Sequence, residues 1–134
     1  MLLLVALILA ACGSPSSKDG ENPVKAAGVL RVGTEGVYSP FSYHDPATNE
    51  LVGYDVDVAK AVAGKLGVRV EFVETPWDSI FAALEANRFD VVANEVTINP
   101  ERKAKYDLSE SYSVGEGVIV TRTDDNSIKS LDNL

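Results

Sequence analysis

The sequence has 134 residues, the length of one small domain, and its 46% hydrophobic and 24% charged residues exclude a disordered or collagen-like chain. Twelve Lys and Arg against twenty Asp and Glu give a formal net charge of −8. We therefore expect no nucleic acid and no anionic membrane surface as the main partner, because neither attracts a polyanion. A single Cys and a single His exclude an internal disulfide and make a zinc site an unfavourable interpretation.

The chain opens with an apolar run, Met1 to Ala11, which is too short to span a bilayer but has the length of the hydrophobic region of a secretory signal. Small residues precede Cys12 and Gly13-Ser14 follow it, a pattern that resembles a bacterial lipobox. The alternative is a buried free cysteine at the end of a core helix. We predict a signal peptide over residues 1–11 and a lipid anchor on Cys12, and we expect the true start upstream, because no Lys or Arg precedes the run.

Residues 12–27 are predicted to form a flexible tether. The stretch from Gly13 to Ala27 is rich in Ser, Gly, Pro and charged residues, a composition that cannot bury a core. An anchor, a tether and then a folded unit predict a protein held at the outer side of the bacterial cell membrane.

From Val29 onward, short apolar runs alternate with helical patterns. Strands are predicted at residues 29–34, 68–73, 90–93 and 117–121, with a short extended piece at 41–43. Helices are predicted after the N-caps Asp55 and Asp78, from Asn99 to about Tyr106, and from Ile128 onward. The first helix presents an apolar face at helical spacing and ends at Gly67; the face comprises Val58, Ala59, Val62, Ala63 and Leu66.

This alternation predicts βαβ units and a parallel sheet, and so an α/β fold. Ligands on such sheets bind beyond the carboxyl ends of the strands, where the loops 34–40, 74–78 and 94–99 lie. No G-x-G-x-x-G and no Walker pattern occurs in the sequence, so we expect no nucleotide cofactor.

Among the candidate site residues, Arg102 is supported by the most specific sequence pattern. With Asn99 as N-cap and Pro100 at the first position, Arg102 lies in the first helical turn, where a cation opposes the helix dipole unless an anion binds there. The planar guanidinium suits a carboxylate best. The alternative is an Arg that faces solvent and pairs with Glu101 or a more distant acid. Thr97, in the same loop, offers a hydroxyl and a backbone N–H, or simply ends a strand.

The other candidates in these loops each have an ordinary alternative. Tyr38 and Trp77 lie on loops where an exposed ring would stack on a ligand, but a ring that covers the core is equally common. Asn94 and Glu95 directly follow a predicted buried strand, where any chain emerges into water. Glu35 lies in the first loop and could approach a ligand amine.

Four segments then carry a resemblance to a known family: LRVGTEGVYSPFSY (Leu30–Tyr43), LVGYDVDVAKAVAGKLG (Leu51–Gly67), Trp77–Tyr112 and GVIVTR (Gly117–Arg122). In order and spacing they resemble the first lobe of extracytoplasmic solute-binding proteins of polar amino-acid ABC importers, family 3. The resemblance implies the type II periplasmic binding-protein fold, with residues 28–122 as the first lobe and 123–134 as the hinge exit and start of a second lobe. We expect a chain truncated to most of the first lobe, which would bind ligand poorly.

The resemblance also implies how a ligand is held. Arg102 would bind the α-carboxylate with help from Thr97, and Asn94 would offer its backbone carbonyl to the α-ammonium, with Glu95 beside it. The run from Asn94 to Thr97 is similar to the cystine-type branch, which often has Asn-Gln-Val there. Glu95 departs from that pattern, and an acid here would favour a ligand with an extra ammonium, such as cystine or a basic amino acid.

Tyr38 and Trp77 would form aromatic walls around the ligand side chain, with Glu35 at the rim. The implied function is binding of an amino acid and its delivery to an ABC permease, without enzymatic activity, cofactor or metal. Two alternatives share the fold: an enzyme of the cyclohexadienyl dehydratase type, whose substrate also carries a carboxylate for Arg102, and the sensor domain of a membrane receptor.

Overall fold

The computed structural model describes residues 22–133 of the chain. The predicted signal peptide, the Cys12 that is predicted to carry a lipid, and the predicted tether as far as residue 21 lie outside the described residues. The chain divides into two compact units, one ending at Val96 and one beginning at Thr97.

The first unit, over residues 22–96, contains three helices and six strands. In chain order they are α1 (Pro23–Ala27), β1 (Val29–Thr34), β2 (Val37–Tyr38), β3 (Ser42–His44), β4 (Leu51–Val52), α2 (Tyr54–Leu66), β5 (Arg69–Glu74), α3 (Trp77–Glu85) and β6 (Val91–Val92). The second unit, over residues 97–133, contains α4 (Pro100–Lys103) and one turn of 3₁₀ helix (Leu131–Asn133).

The predicted parallel sheet is confirmed, with strand order β5-β1-β6. Val32 of β1 lies opposite Phe72 of β5 on one side and Val91 of β6 on the other. A second sheet is antiparallel, with strand order β2-β3-β4. Of this sheet, the sequence predicts only the short extended piece at residues 41–43. Its strands have only two or three residues, so their alternation is too brief to be read from the sequence.

Two apolar clusters cover opposite faces of the parallel sheet, as alternation along β1 and β5 requires. The cluster that joins the sheet to α2 comprises Leu30, Val32, Ala59 and Ala63. The cluster around α3 comprises Ile80, Ala83 and Phe89. Gly33 is needed where β1 passes this second cluster, because a Cβ there would lie 2.5 Å from the ring of Phe89. The helix α2 ends at Gly67 in the left-handed conformation, as predicted, but Val62 of its predicted apolar face is 46% exposed.

The start of α2 corrects the prediction that Asp55 is its N-cap. The helix begins at Tyr54, and no side chain caps it. Instead, the backbone N–H of Tyr54 donates to the carbonyl of Pro40 (3.1 Å) and that of Asp55 to the carbonyl of Phe41 (2.9 Å). Because the turn between β2 and β3 supplies these acceptors, the helix start does not need the Asp55 side chain, which makes a different contact.

The start of α3 corrects the corresponding prediction for Asp78. Pro76 occupies the N-cap position and Asp78 is an exposed residue of the first turn. The N–H of Trp77 donates to the carboxylate of Glu35 (Oε1, 3.1 Å), which is 42 residues away in the sequence. Both helices of the sheet are therefore capped by groups that are remote in the chain.

The predicted tether is wrong for its last residues. Asn22 caps α1 by accepting from the N–H of Val24 at 3.0 Å, and Val24 packs against the cluster that joins the sheet to α2. Composition favoured disorder here, but the Asn-Pro pair is also a helix start, with an N-cap followed by Pro at the first position.

In the second unit the N-cap Asn99 is confirmed, but α4 ends at Lys103 rather than near Tyr106. Residues 117–121 form no strand in the described part of the chain, and Val118 and Val120 are 78% and 88% exposed. An apolar run needs a neighbouring strand for its backbone groups before it becomes one. The helix predicted from Ile128 is reduced to the 3₁₀ turn.

None of the helices between residues 22 and 133 has the length and apolarity that crossing a membrane requires. Over the same residues, no group of three or more His, Cys, Asp or Glu side chains is arranged to hold a metal ion.

Candidate functional site

Asn94 is the centre of a hydrogen-bond network at the carboxyl end of β6. It is 2% exposed. Its amide oxygen accepts from the N–H of Glu35 (2.9 Å) and lies 3.1 Å from the hydroxyl of Thr34. Its amide nitrogen donates to Glu35 Oε2 at 3.1 Å. Asn94, two residues after β6, is thereby fixed to the end of β1, as the parallel pairing of the two strands allows.

Glu35 joins three elements through its carboxylate. One oxygen accepts from the side chain of Asn94 and the other from the N–H of Trp77 at the start of α3. A carboxylate at a helix start also has a favourable interaction with the helix dipole. The prediction that Glu35 lies at the rim and approaches a ligand amine stays a prediction; the structure adds that both carboxylate oxygens have protein partners.

Two buried hydroxyls extend this network to the antiparallel sheet, and the sequence analysis missed them. The hydroxyl oxygens of Thr34 and Ser42 are 2.6 Å apart, and the N–H of Gly36 donates to Ser42 Oγ at 3.0 Å. Thr34 is 1% exposed and Ser42 is fully buried. No local pattern distinguishes a buried Ser or Thr at a strand end from an exposed one, so no sequence signal was available.

Asp55 fixes the next residue of the loop, Glu95. Its carboxylate accepts from the N–H of Glu95 at 2.7 Å and is fully buried. Glu95 has a φ of 48°, a left-handed conformation that residues with a Cβ rarely adopt. The sequence did contain a signal: Asp55 is four residues before Ala59 and eight before Ala63, and therefore lies on the buried face of α2.

The two candidate aromatic residues differ in their surroundings. Tyr38 is 44% exposed and contacts Phe41, with ring centroids 5.0 Å apart. Trp77 is half-buried, packs against the cluster around α3 and meets the ring of Phe81 edge-on at 5.5 Å. Trp77 thus covers the core with part of its ring, and Tyr38 has the more accessible face.

In the second unit the structure brings Thr97 and Arg102 together. Arg102 Nη1 donates to the backbone carbonyl of Thr97 at 2.9 Å, and the N–H of Arg102 donates to the side chain of Asn99 at 2.8 Å. From the sequence, Thr97 is expected to contribute its hydroxyl and N–H, whereas its carbonyl makes this contact. Because α4 has only four residues, its dipole is weak, and the Thr97 carbonyl accounts better for how the guanidinium is oriented.

In each unit, hydrogen bonds thus hold candidate side chains in place: those of Glu35 and Asn94 in the first unit and that of Arg102 in the second. In the first unit the network contains Glu35, Asn94 and the backbone N–H of Trp77. Two further candidates lie close to it in the sequence: Glu95 follows Asn94, and Tyr38 is three residues after Glu35. Side chains fixed in this way are suited to recognising a polar molecule.

Known proteins resemble this chain over most of its length. The L-cystine-binding protein TcyA of Bacillus subtilis (strain 168) is 50% identical over 131 residues, 91% of this chain and 48% of that protein. The crystal structure of the L-cystine solute receptor of Neisseria gonorrhoeae, unliganded and open, is 60% identical with a TM-score of 0.60, over 63% of this chain and 36% of that one. The arginine-bound form of domain 1 from TmArgBP is 34% identical with a TM-score of 0.59, over 63% of this chain and 66% of that one.

The chain spans about half the length of the first two relatives it matches in sequence, at 48% and 53%. Residues 30–132 match the family described as bacterial extracellular solute-binding proteins, family 3, and these residues include every candidate from Glu35 to Arg102. The α/β fold with its parallel sheet agrees with part of the type II periplasmic binding-protein fold that the resemblance implies. The chain belongs to the bacterial extracellular solute-binding proteins of family 3.

Proposed function

We propose that this chain forms the amino-acid-binding lobe of a solute-binding protein that delivers its ligand to an ABC permease. The observation that carries the proposal is the 50% identity to an L-cystine-binding protein over 91% of the chain. We propose L-cystine, or another amino acid with an extra ammonium group, as the ligand.

In this proposal Arg102 binds the α-carboxylate of the ligand, because a guanidinium presents parallel donors to a planar acid. Thr97 supports it: the Thr97 carbonyl takes one guanidinium N–H and so restricts the rotation of the Arg102 side chain. The backbone carbonyl of Asn94 accepts from the α-ammonium. That carbonyl belongs to a residue whose side chain is already fixed by the Glu35 network.

The remaining candidates determine which side chain of the ligand is accepted. Tyr38 and Trp77 provide aromatic walls, and the exposed face of Tyr38 supports its part in this role. Glu95 places a carboxylate next to Asn94 and favours a second ammonium by attraction of opposite charges. Glu35 adds negative charge at the rim, with its position set by Asn94 and Trp77.

Binding without a reaction is the function that the relatives favour over the enzymatic alternative. Members of the family are described as solute-binding proteins, and the two relatives whose names mention L-cystine are called a binding protein and a solute receptor. An ancestral cyclohexadienyl dehydratase is also similar, 47% identical over 68% of this chain with a TM-score of 0.63. The relatives that match over more of the chain are named as binding proteins, and the chain is therefore proposed to be no enzyme.

The test is isothermal titration of the 134-residue chain with L-cystine, L-arginine, L-histidine and L-leucine. The arginine-bound form of domain 1 from TmArgBP supports the titration of these 134 residues by themselves. We expect heat from cystine or a basic amino acid and none from leucine. Absence of binding by all four amino acids would contradict the proposal.

Arg102→Ala tests the role of the guanidinium, with Lys103→Ala as the control because Lys103 is an exposed cation of the same helix. Loss of a hydrogen-bonded charge pair of about 1.5–3 kcal/mol predicts a decrease in affinity of roughly 10- to 100-fold. Equal affinities for the two variants would assign the ligand carboxylate to another residue.

We further propose that residues 1–11 direct export and that Cys12 carries diacylglycerol, so that the protein is tethered to the membrane. The support is the lipobox-like sequence and the match to a family described as extracellular. A bacterium expressing Cys12→Ala should release the protein from its membrane fraction, while Ser14→Ala should leave it attached. Equal membrane attachment of both variants would contradict the lipid anchor.

A further inference from the structure

We infer that Asp55 is a positioning residue for ligand binding, because it sets the direction of the backbone carbonyl of Asn94. The inference rests on the proposed function, in which that carbonyl accepts from the α-ammonium of the ligand. Asp55 does so without touching the ligand, through the peptide bond that joins Asn94 to Glu95.

The buried carboxylate of Asp55 does not cap α2. It is 0% exposed on the buried face of α2, and burial of a carboxylate is costly unless strong hydrogen bonds compensate for it. The start of α2 is already satisfied by the carbonyls of Pro40 and Phe41. The carboxylate instead accepts the N–H of Glu95 at 2.7 Å, the short distance of a charge-assisted hydrogen bond.

The direction of the Asn94 carbonyl follows from geometry. The N–H of Glu95 and the carbonyl of Asn94 belong to one peptide unit, which is trans and planar. In such a unit the N–H and the C=O point in opposite directions. Since the N–H is directed at Asp55, the carbonyl of Asn94 is directed away from α2.

The orientation of the Asn94 carbonyl depends on the hydrogen bond between Asp55 and the N–H of Glu95. Glu95 has a φ of 48°, a conformation that is unfavourable for a residue with a Cβ. Without the hydrogen bond to Asp55, rotation of this peptide would relieve the unfavourable φ and redirect the carbonyl. The carboxylate also polarises the peptide unit, which makes the carbonyl a better acceptor for a cation.

The experiment compares Asp55→Asn with Asp57→Asn, an exposed acid of the same helical turn that serves as the matched control. Each variant of the 134-residue chain is titrated with L-cystine and with 3,3′-dithiodipropionate, which keeps the carboxylates and the disulfide but lacks both ammonium groups. We expect Asp55→Asn to weaken cystine binding about tenfold, because Asn keeps an acceptor for the Glu95 N–H but loses the charge that makes this hydrogen bond about twice as strong as a neutral one. Its affinity for dithiodipropionate should remain that of the unchanged chain.

A merely structural role gives a different result, because it lowers the affinity for both compounds equally. That outcome, or equal cystine affinities for Asp55→Asn and Asp57→Asn, overturns the inference while the proposed function stands. Failure of the unchanged chain to bind any amino acid overturns the proposed function and this inference with it.

A measurement on the unchanged chain keeps the inference testable if Asp55→Asn does not fold. The amide of Glu95 should exchange slowly with deuterium, and its resonance should move when L-cystine is added. Fast exchange of the Glu95 amide, or a resonance that stays in place at saturating cystine, overturns the inference.

Discussion

The two ends of β6 are fixed by different chemistry. Asp90, just before the strand, receives the side chain of Arg31 (Nη2 to Oδ1, 2.6 Å) and its N–H (2.8 Å), and the Asp90 and Arg31 side chains are 23% and 38% exposed. Asn94, just after the strand, is 2% exposed and belongs to a network of neutral groups around the Glu35 carboxylate. Exposed ion pairs contribute little, whereas buried polar groups that lose a partner cost much. The ion pair at Asp90 therefore adds a small stabilisation, whereas the buried network at Asn94 fixes the backbone position of the loop after β6.

The largest effect on stability is expected when the hydrogen bonds of Asn94, at the carboxyl end of β6, are removed. Asn94→Ala removes a partner from the N–H and the carboxylate of Glu35 and from the hydroxyl of Thr34. We expect the free energy of unfolding to decrease by about 2–3 kcal/mol, since unsatisfied buried groups lose their compensation. Urea denaturation measures the change, and Asn126→Ala, an exposed Asn, is the control. A loss no larger than that of the control would refute the difference between the two ends.

A smaller effect is expected at the first end, and it should depend on acid pH. Hydrogen bonds from Arg31 lower the pKa of Asp90 in the folded protein, so its stabilisation is present above the pKa of an unfolded Asp, about 3.9, and is lost as the pH falls through the folded pKa. The difference in unfolding free energy between the unchanged chain and Asp90→Asn should be constant near neutral pH and shrink below about pH 4. A difference that is independent of pH would contradict this assignment.

The smallest effect concerns His44, which fastens the antiparallel sheet to β5. Its ring contacts the carbonyl of Asn49 and the carboxylate of Glu74, each at 2.9 Å, and these contacts raise the pKa of His44. A raised pKa stabilises the fold below the pKa of an unfolded His, about 6.5, and the contribution is lost as the pH rises through the folded pKa. Compared with His44→Gln, the unchanged chain should lose a small increment of stability between slightly acid and slightly alkaline pH. Parallel pH profiles for the two proteins would show that this contact contributes nothing.

The elements that could be predicted from the sequence are those whose pattern is local. The runs at 29–34 and 68–73 are long enough to show β-branched residues between turn residues, and Asn99-Pro100 is a helix start that depends on two neighbours. What could not be predicted is the set of contacts made across the chain. Asp55 and Asp78 have the local appearance of N-caps, but the groups that cap these helices come from residues 35, 40 and 41.

The same distinction applies to the candidate site. Arg102 and Thr97 are five residues apart, so the sequence places them in neighbouring positions, but the hydrogen bond from Arg102 Nη1 to the Thr97 carbonyl was not predicted. Asn94 and Glu95 were chosen for their place after a strand, which is a local property. The role of Asp55 required knowledge of which face of α2 meets the loop after β6, and that depends on the packed sheet.

The turn between β2 and β3 connects two features of the molecule. Its carbonyls at Pro40 and Phe41 accept from the first N–H groups of α2, and Tyr38 is the last residue of β2 before the turn. An insertion or deletion in this turn would shift the acceptors away from the first helical N–H groups and destabilise the helix that presents Asp55. Under the proposed function, in which Tyr38 is an aromatic wall of the ligand site, redesign for a larger or smaller ligand should therefore exchange the side chain at position 38 and keep the length of the turn.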